Sequence, residues 1–137
     1  LIDGQASTIR SYYAATGQLK DSEWLNNTSS QQRLAYTYDV FGNLETQSIT
    51  NQLAQQSVET YSYDNMHRLS STSRTIPGLS GSLTTHFAFD AVGNIRKKTD
   101  FSIDSNDAYT YGTSERSAAN GWAGPNAVRT VMLAGGP

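Results

Sequence analysis

The chain of 137 residues has no cysteine, only three prolines and few charges, and what is missing narrows its function before any motif is read. Without cysteine there are no disulfides and no thiolate metal sites. The longest apolar stretch near either end, Val131-Met132-Leu133-Ala134, is far too short to span a membrane. Charged residues make up 16 %, the net charge is -2 and the sequence pI is about 5.5, so the electrostatic footprint of a nucleic-acid or anionic-membrane binder is absent. The one basic cluster, Arg96-Lys97-Lys98, is expected to lie on a strand, split between two faces, as a solvated edge. Hydrophobic residues reach 36 % and mean hydropathy is -0.53. Such a chain can cover one face of a sheet with apolar groups while the other stays wet. Eight regularly placed tyrosines count against disorder.

What is present is a repeat. Three copies read Tyr36-Thr-Tyr38-Asp39-Val-Phe-Gly42-Asn43-Leu44, Tyr61-Ser-Tyr63-Asp64-Asn-Met-His67-Arg68-Leu69 and Phe87-Ala-Phe89-Asp90-Ala-Val-Gly93-Asn94-Ile95. Weaker copies flank them at 11–19 and 109–117, so the repeat cores lie at 11–19, 36–44, 61–69, 87–95 and 109–117. The second aromatic falls at 13, 38, 63, 89 and 111, at intervals of 25, 25, 26 and 22 residues. That period describes one supersecondary unit stacked on copies of itself.

Each unit reads as a β-hairpin. Tyr36 and Tyr38 alternate with Thr37, the period of a strand with one apolar face. Asp39 stands three residues before Gly42, the spacing of a type I turn closed by a left-handed residue, which makes a three-residue hairpin loop. Turns are predicted at 40–42, 65–67 and 91–93, with positive φ at Gly42, His67 and Gly93. Histidine is one of the few non-glycine types enriched in that conformation. The register then sets Asp39 opposite Asn43, Tyr38 opposite Leu44 and Tyr36 opposite Thr46. The same count pairs Tyr63 with Leu69, Phe89 with Ile95 and Tyr13 with Leu19. These pairs are expected on one common face, with Tyr38, Tyr63 and Phe89 more buried than Thr37, Ser62 and Ala88. In a close-packed core Tyr38→Ala would cost about 3–5 kcal/mol. In the fifth copy Gly112 replaces the Asp and Glu115 the Gly, which predicts a different turn or a bulge. Segments 51–56 and 76–82, the latter containing Pro77-Gly78, read as connections between hairpins. The fold class expected is all-β, an antiparallel array of hairpins forming a twisted or spiralling sheet.

The motif Tyr-x-Tyr-Asp-x-x-Gly-Asn-Leu in near-tandem resembles the YD repeat of the Rhs (rearrangement-hotspot) family, which includes toxin-complex C components, wall-associated toxins and the teneurins. The resemblance covers roughly residues 9 to 117, and Ala123-Gly-Pro-Asn-Ala-Val128 is similar to the lead-in of a further copy. The whole of 1–137 is thus expected to be a YD-repeat segment, with 118–137 starting a further, truncated repeat. The resemblance implies a hollow shell built from a spiralling sheet, enclosing or presenting a C-terminal effector. It implies a protein that is secreted, on a cell surface or injected by a bacterial secretion system. The implied partners are neighbouring repeats and the enclosed effector domain. No charged-then-apolar leader opens the sequence, and both ends read as cut from a longer array. Raw edge strands are expected to make the segment self-associate.

No catalytic residue, cofactor or metal is expected. His67 and His86 are isolated, no serine is singled out for a triad, and turn formation accounts locally for Asp39, Asp64 and Asp90. The alternative reading is a carbohydrate-binding module, with Trp24 and Trp122, which lie outside the repeat pattern, as the candidate sugar-facing residues.

Overall fold

The computed structural model describes residues 5–112 and 125–135. Ten strands and no helix form among the described residues: β1 (Ala6–Tyr12), β2 (Leu19–Asn26), β3 (Ser29–Tyr38), β4 (Leu44–Asn51), β5 (Gln56–Tyr63), β6 (Leu69–Thr75), β7 (Ser82–Phe89), β8 (Ile95–Lys98), β9 (Tyr109–Tyr111) and β10 (Val128–Val131). β1 to β8 make an antiparallel sheet in which neighbours in sequence are neighbours in space, and β9 pairs with β10 in a separate ribbon. The all-β hairpin array read from the sequence is therefore the fold. The chain divides into two compact units, Leu1–His67 with Thr72–Leu83 and Arg68–Ser71 with Thr84–Pro137.

Local chemistry sets the turns. In the first unit Asp39 N–H donates to Asn43 C=O at 2.9 Å and Gly42 N–H to Asp39 C=O at 3.0 Å, closing the loop 40–42. Positive φ falls at Gly42 (88°), His67 (58°) and Gly93 (92°), the three predicted positions. The connection at the other end of β4 reuses the same geometry. Asn51 N–H donates to Gln55 C=O, the Asn51 Oδ1 accepts from the Leu53 and Gln55 N–H groups, and Ala54 takes φ 57°.

Register departs from expectation at two points. Tyr38 is opposite Leu44 as predicted, but Thr37 is opposite Thr46 and Tyr36 opposite Gln47, because Glu45 is an extra residue in β4. Lys20 and Arg96 are extra at the same place in their hairpins. A bulge one residue after the aliphatic position therefore recurs, adding local twist where each hairpin opens. In the first copy Tyr12, not Tyr13, is opposite Leu19. Ala14 offers no carboxylate to hold a three-residue loop, so the loop takes one more residue: Tyr13 N–H donates to Gln18 C=O, and Gly17 N–H reaches back to Tyr13 C=O at 2.8 Å.

Alternation gives the first unit two distinct faces. Trp24, Leu34, Tyr36 and Ile49 share one through their cross-strand pairs, while Asp21, Arg33, Ser48 and Thr46 occupy the other. On the polar face Ser11 Oγ donates to Asp21 at 2.5 Å, Arg33 stands 3.5 Å from the same carboxylate, and the Thr37 and Thr46 hydroxyls are 2.7 Å apart. Tyr38 and Tyr63 are half-buried and Thr37 and Ser62 exposed, as the alternation requires; Phe89 and Ala88 are both half-buried. The condition for the larger Tyr38→Ala cost, a close-packed core, is not met in this unit: none of its described residues is fully buried, since one layer of sheet covers its own apolar side only partly.

In the second unit the Arg96-Lys97-Lys98 cluster is not merely a solvated edge. Arg96 pairs with Asp107, Lys97 with Asp104 at 2.9 Å and Lys98 with Asp100 at 2.6 Å. The loop after β8 thus brings one carboxylate to each cation. Ser102, 1 % exposed, locks that loop: its N–H and hydroxyl both donate to Lys98 C=O, at 2.7 and 2.9 Å, and its Oγ accepts from Lys98 N–H. Ala108 is the buried apolar residue among those described. In the segment expected to open a further copy, Val128–Val131 is the return strand paired with Tyr109–Tyr111.

Candidate functional site: the repeat turns and the clefts between them

The aspartate of each motif works inside its own turn. Asp39 Oδ1 accepts from the N–H groups of Phe41 and Asn43, both at 2.9 Å, and its Oδ2 accepts from the Asn43 side-chain amide. Asp90 repeats this with Val92 and Asn94, and Asp64 accepts from Met66 N–H. The Asn43 amide, then the backbone donors, hold the Asp39 carboxyl below its ordinary value against the opposing effect of burial. At Asp90 burial pushes the other way, and the backbone and amide donors of Asn94 outweigh it.

Depressed carboxyl values fix the sign of a pH effect. These carboxylates are charged in the fold at pH values where the unfolded chain already takes up protons. Their contribution is complete above the unfolded value near 3.8 and is lost as pH falls through the lower folded value. Thermal midpoints should therefore be level from pH 7 to about 5 and fall below about 4. Asp39→Asn with Asp90→Asn should lower the plateau and flatten the fall. An acid fall of unchanged steepness in that double variant would place its origin elsewhere.

The residue after the left-handed turn position reaches out to the next turn. Gln18 donates to Gly42 C=O at 3.2 Å, and the Asn43 amide lies 3.1 Å from His67 Nδ1. In the second unit Arg68 donates to Asp90 C=O at 2.9 Å and Asn94 to Pro125 C=O at 3.1 Å. Each step is thus a hydrogen bond from one repeat's turn to its successor's. An amide nitrogen only donates, and that of Asn43 also serves Asp39, so His67 Nδ1 is the accepting atom of this contact. The Phe41 ring stands edge-on to His67 with centroids 4.6 Å apart.

A second ladder runs the opposite way. The tyrosine ending each outgoing strand donates its hydroxyl to the carbonyl of the previous repeat's aliphatic residue. Tyr38 bonds Leu19 C=O at 3.0 Å, Tyr63 bonds Leu44 C=O at 2.8 Å and Tyr111 bonds Ile95 C=O at 2.6 Å. That carbonyl needs a partner. Asp39 and Asn43 are the hydrogen-bonded pair, so at the next pair, Tyr38 and Leu44, the backbone groups turn outward. Pairing of β4 with β5 starts only at Thr46, which leaves the Leu44 carbonyl to the Tyr63 hydroxyl. Phe89 has no hydroxyl; instead the Arg68 guanidinium lies 4.9 Å over its ring.

Two clefts open between successive turns of the first unit. One, of about 420 Å³, is lined by Asp39, Phe41, Glu45, Tyr63, Asp64 and His67; the other, of about 400 Å³, by Tyr13, Ala14, Thr16, Gln18, Tyr38 and Asp39. They occupy equivalent places in consecutive repeats. Beside the first, burial and then the Glu59 carboxylate push the Tyr61 hydroxyl up to about 12. Trp24 is 49 % exposed on the aromatic face, and Trp122 lies outside the described residues. No group of three or more His, Asp and Glu able to hold a metal ion occurs among the described residues.

Of the predicted residues, Tyr36, Tyr38, Asp39, Gly42 and Leu44 lie on β3, its turn and β4, and Tyr61, Tyr63, Asp64, His67 and Leu69 on β5, its turn and β6, in two successive copies of the repeat. Phe87, Phe89, Asp90, Gly93 and Ile95 form the next. Gln18, Asn43, Arg68 and Asn94 carry the steps between turns, and their recurrence one repeat apart was the signal in the sequence. No protein-family model matches the chain, and no curated protein matches it.

Proposed function

We propose that this chain is a non-catalytic scaffold: a segment of a YD-repeat, Rhs-like β-array that helps enclose or present an effector in a secreted, surface-bound or injected protein. The observation that carries this reading is how the repeated polar groups are employed. The aspartates hold turns, the following amides or guanidinium hold the next turn, and the tyrosine hydroxyls hold the preceding strand. Groups committed in this way build length, because each repeat leaves the same contacts for its neighbour. The resemblance of the motif to YD repeats supplies the enclosing role. Limited proteolysis of the longer parent protein tests it. An effector downstream of the repeats should resist cleavage, and Asp39→Ala with Asp90→Ala should expose it. Equal cleavage in parent and variant would contradict enclosure.

A carbohydrate-binding module is the second reading, favoured by Trp24 at 49 % exposure and by two clefts that combine tyrosine with carboxylate or amide groups. A glycan array with wild-type and Trp24→Ala chains separates the two readings. The scaffold predicts no saturable binding, whereas the module predicts binding that Trp24→Ala weakens.

A further inference from the structure

The two clefts between successive turns of the first unit are copies of one site. Thr37, Tyr38 and Asp39 line the earlier cleft where Ser62, Tyr63 and Asp64, one motif further on, line the later one. The clefts are therefore one hairpin apart. In a sheet whose strands follow sequence order, that is two strand separations, or about 9.4–9.8 Å. A polyproline II helix turns once in three residues with a rise of about 3.1 Å, so side chains i and i+3 stand on one face about 9.3 Å apart. A β-strand covers the same distance in about three residues, but residues i and i+3 then point to opposite faces.

The lining differs between the copies in a way that sets what each can hold. The earlier cleft is neutral in character. Tyr13 and Tyr38 meet edge to face with centroids 6.2 Å apart, with the small Ala14 and Ala15 beside them. Lys20 already stands 5.9 Å over the Tyr13 ring, and the Asp39 carboxylate is taken up by its own turn. The later cleft adds Phe41, 73 % exposed, and Tyr61 to the Asp39, Glu45 and Asp64 carboxylates, and no lysine or arginine is among the described residues that line it. Elsewhere the chain lays its own cations on such rings, Arg68 at 4.9 Å over Phe89 and Lys98 at 5.9 Å over Phe87. Glu45 occupies the extra position of β4, which Lys20 and Arg96 hold in β2 and β8. At this one hairpin the sign of that position is reversed.

We infer that the paired clefts bind a polyproline II segment of a partner, with a proline ring in the earlier cleft and a basic side chain, three residues away, in the later one. Aromatic walls suit the preformed, low-entropy polyproline II helix, and rings with carboxylates suit a guanidinium or ammonium group. The prolines of this chain, Pro77, Pro125 and Pro137, are isolated from one another, so the occupant comes from outside these 137 residues. The inference goes beyond the scaffold reading and is independent of whether the array encloses an effector.

Isothermal titration of the chain with the capped heptapeptide Arg-Pro-Pro-Pro-Pro-Pro-Arg tests it. The central proline lies three residues from either arginine, so both binding directions are sampled. Saturable one-to-one binding is expected. Glu45→Lys should weaken it about tenfold by placing a like charge in the later cleft. Ala15→Lys should weaken it about as much by filling the earlier cleft. Circular dichroism should show both variants folded, since the hairpins carry Lys20 and Arg96 at the position of Glu45 and Ala15 is exposed. Replacing both peptide arginines with glutamate should abolish binding, and replacing the central proline with glycine should weaken it several-fold. No saturable binding, an affinity unchanged by Glu45→Lys, or equal affinity for the glycine peptide would each overturn the inference. Binding of a neutral oligosaccharide in place of the peptide, weakened by Ala15→Lys, would overturn it in favour of a sugar.

Discussion

Replacing Tyr63 with alanine is expected to lower stability by about 2–3 kcal/mol, and replacing it with phenylalanine by about 1 kcal/mol. The alanine variant loses a ring that is half-buried, so its cost falls below the roughly 3–5 kcal/mol of a fully buried aromatic. It also strands the Leu44 carbonyl, which accepts the Tyr63 hydroxyl at 2.8 Å. The phenylalanine variant keeps the ring and loses only the hydrogen bond. Urea denaturation of the two variants separates packing from ladder. Equal stability of wild type and Tyr63→Phe would show that water replaces the hydroxyl without loss. In that case the preference for tyrosine at 38, 63 and 111 would need another cause. Position 89 offers an internal control: Phe89→Tyr should place a hydroxyl where the previous aliphatic residue, Leu69, stands in the repeat, and is expected to cost nothing or stabilise slightly.

The second large effect concerns the turns. Gly93 has φ 92°, and a Cβ there would meet no atom within 4 Å, so the cost of a side chain is conformational and not steric contact with neighbours. Gly93→Val should destabilise by about 2–3 kcal/mol, the upper part of the range for a non-glycine residue held left-handed, because a β-branched residue is least suited to it. His67 already bears such a cost at φ 58°, yet it accepts from Asn43 and packs on Phe41. His67→Gly relieves the backbone and removes those contacts, and the net change should stay within about 1 kcal/mol. His67→Ala loses the contacts without relief and should be clearly worse than His67→Gly in the same thermal melt. The opposite order would show that the left-handed turn is not what constrains position 67.

Much of this architecture was legible because its signals are local. The Asp39…Gly42 spacing encodes the turn by itself, and Tyr38 with Leu44 follows from loop length. The bulges were not legible. Lys20, Glu45 and Arg96 look like ordinary outward residues of an alternating strand, and nothing in their identity marks an extra position. The first copy misled for a definite reason: the missing carboxylate at Ala14 lengthens the loop and moves the pairing from Tyr13 to Tyr12. The basic cluster misled because its partners, Asp100, Asp104 and Asp107, come after the strand, where a folded-back loop and not an alternation pattern brings them near. Contacts between repeats lay half in view. Asn43 reads as the residue facing Asp39, and only the fold reveals that its amide also reaches His67.

Excision of one repeat tests the central claim, that this chain is a stack of equivalent units joined by two ladders. Deleting residues 19–43 joins Gln18 to Leu44, so Tyr12 gains Leu44 as its partner and the turn of the first repeat is preserved. The account predicts a shorter all-β protein that still unfolds cooperatively in urea, with a lower midpoint and a denaturant slope reduced in keeping with the lost surface. A deletion product with no β-sheet circular dichroism and no cooperative transition would contradict it, because a stack of equivalent units survives the loss of one.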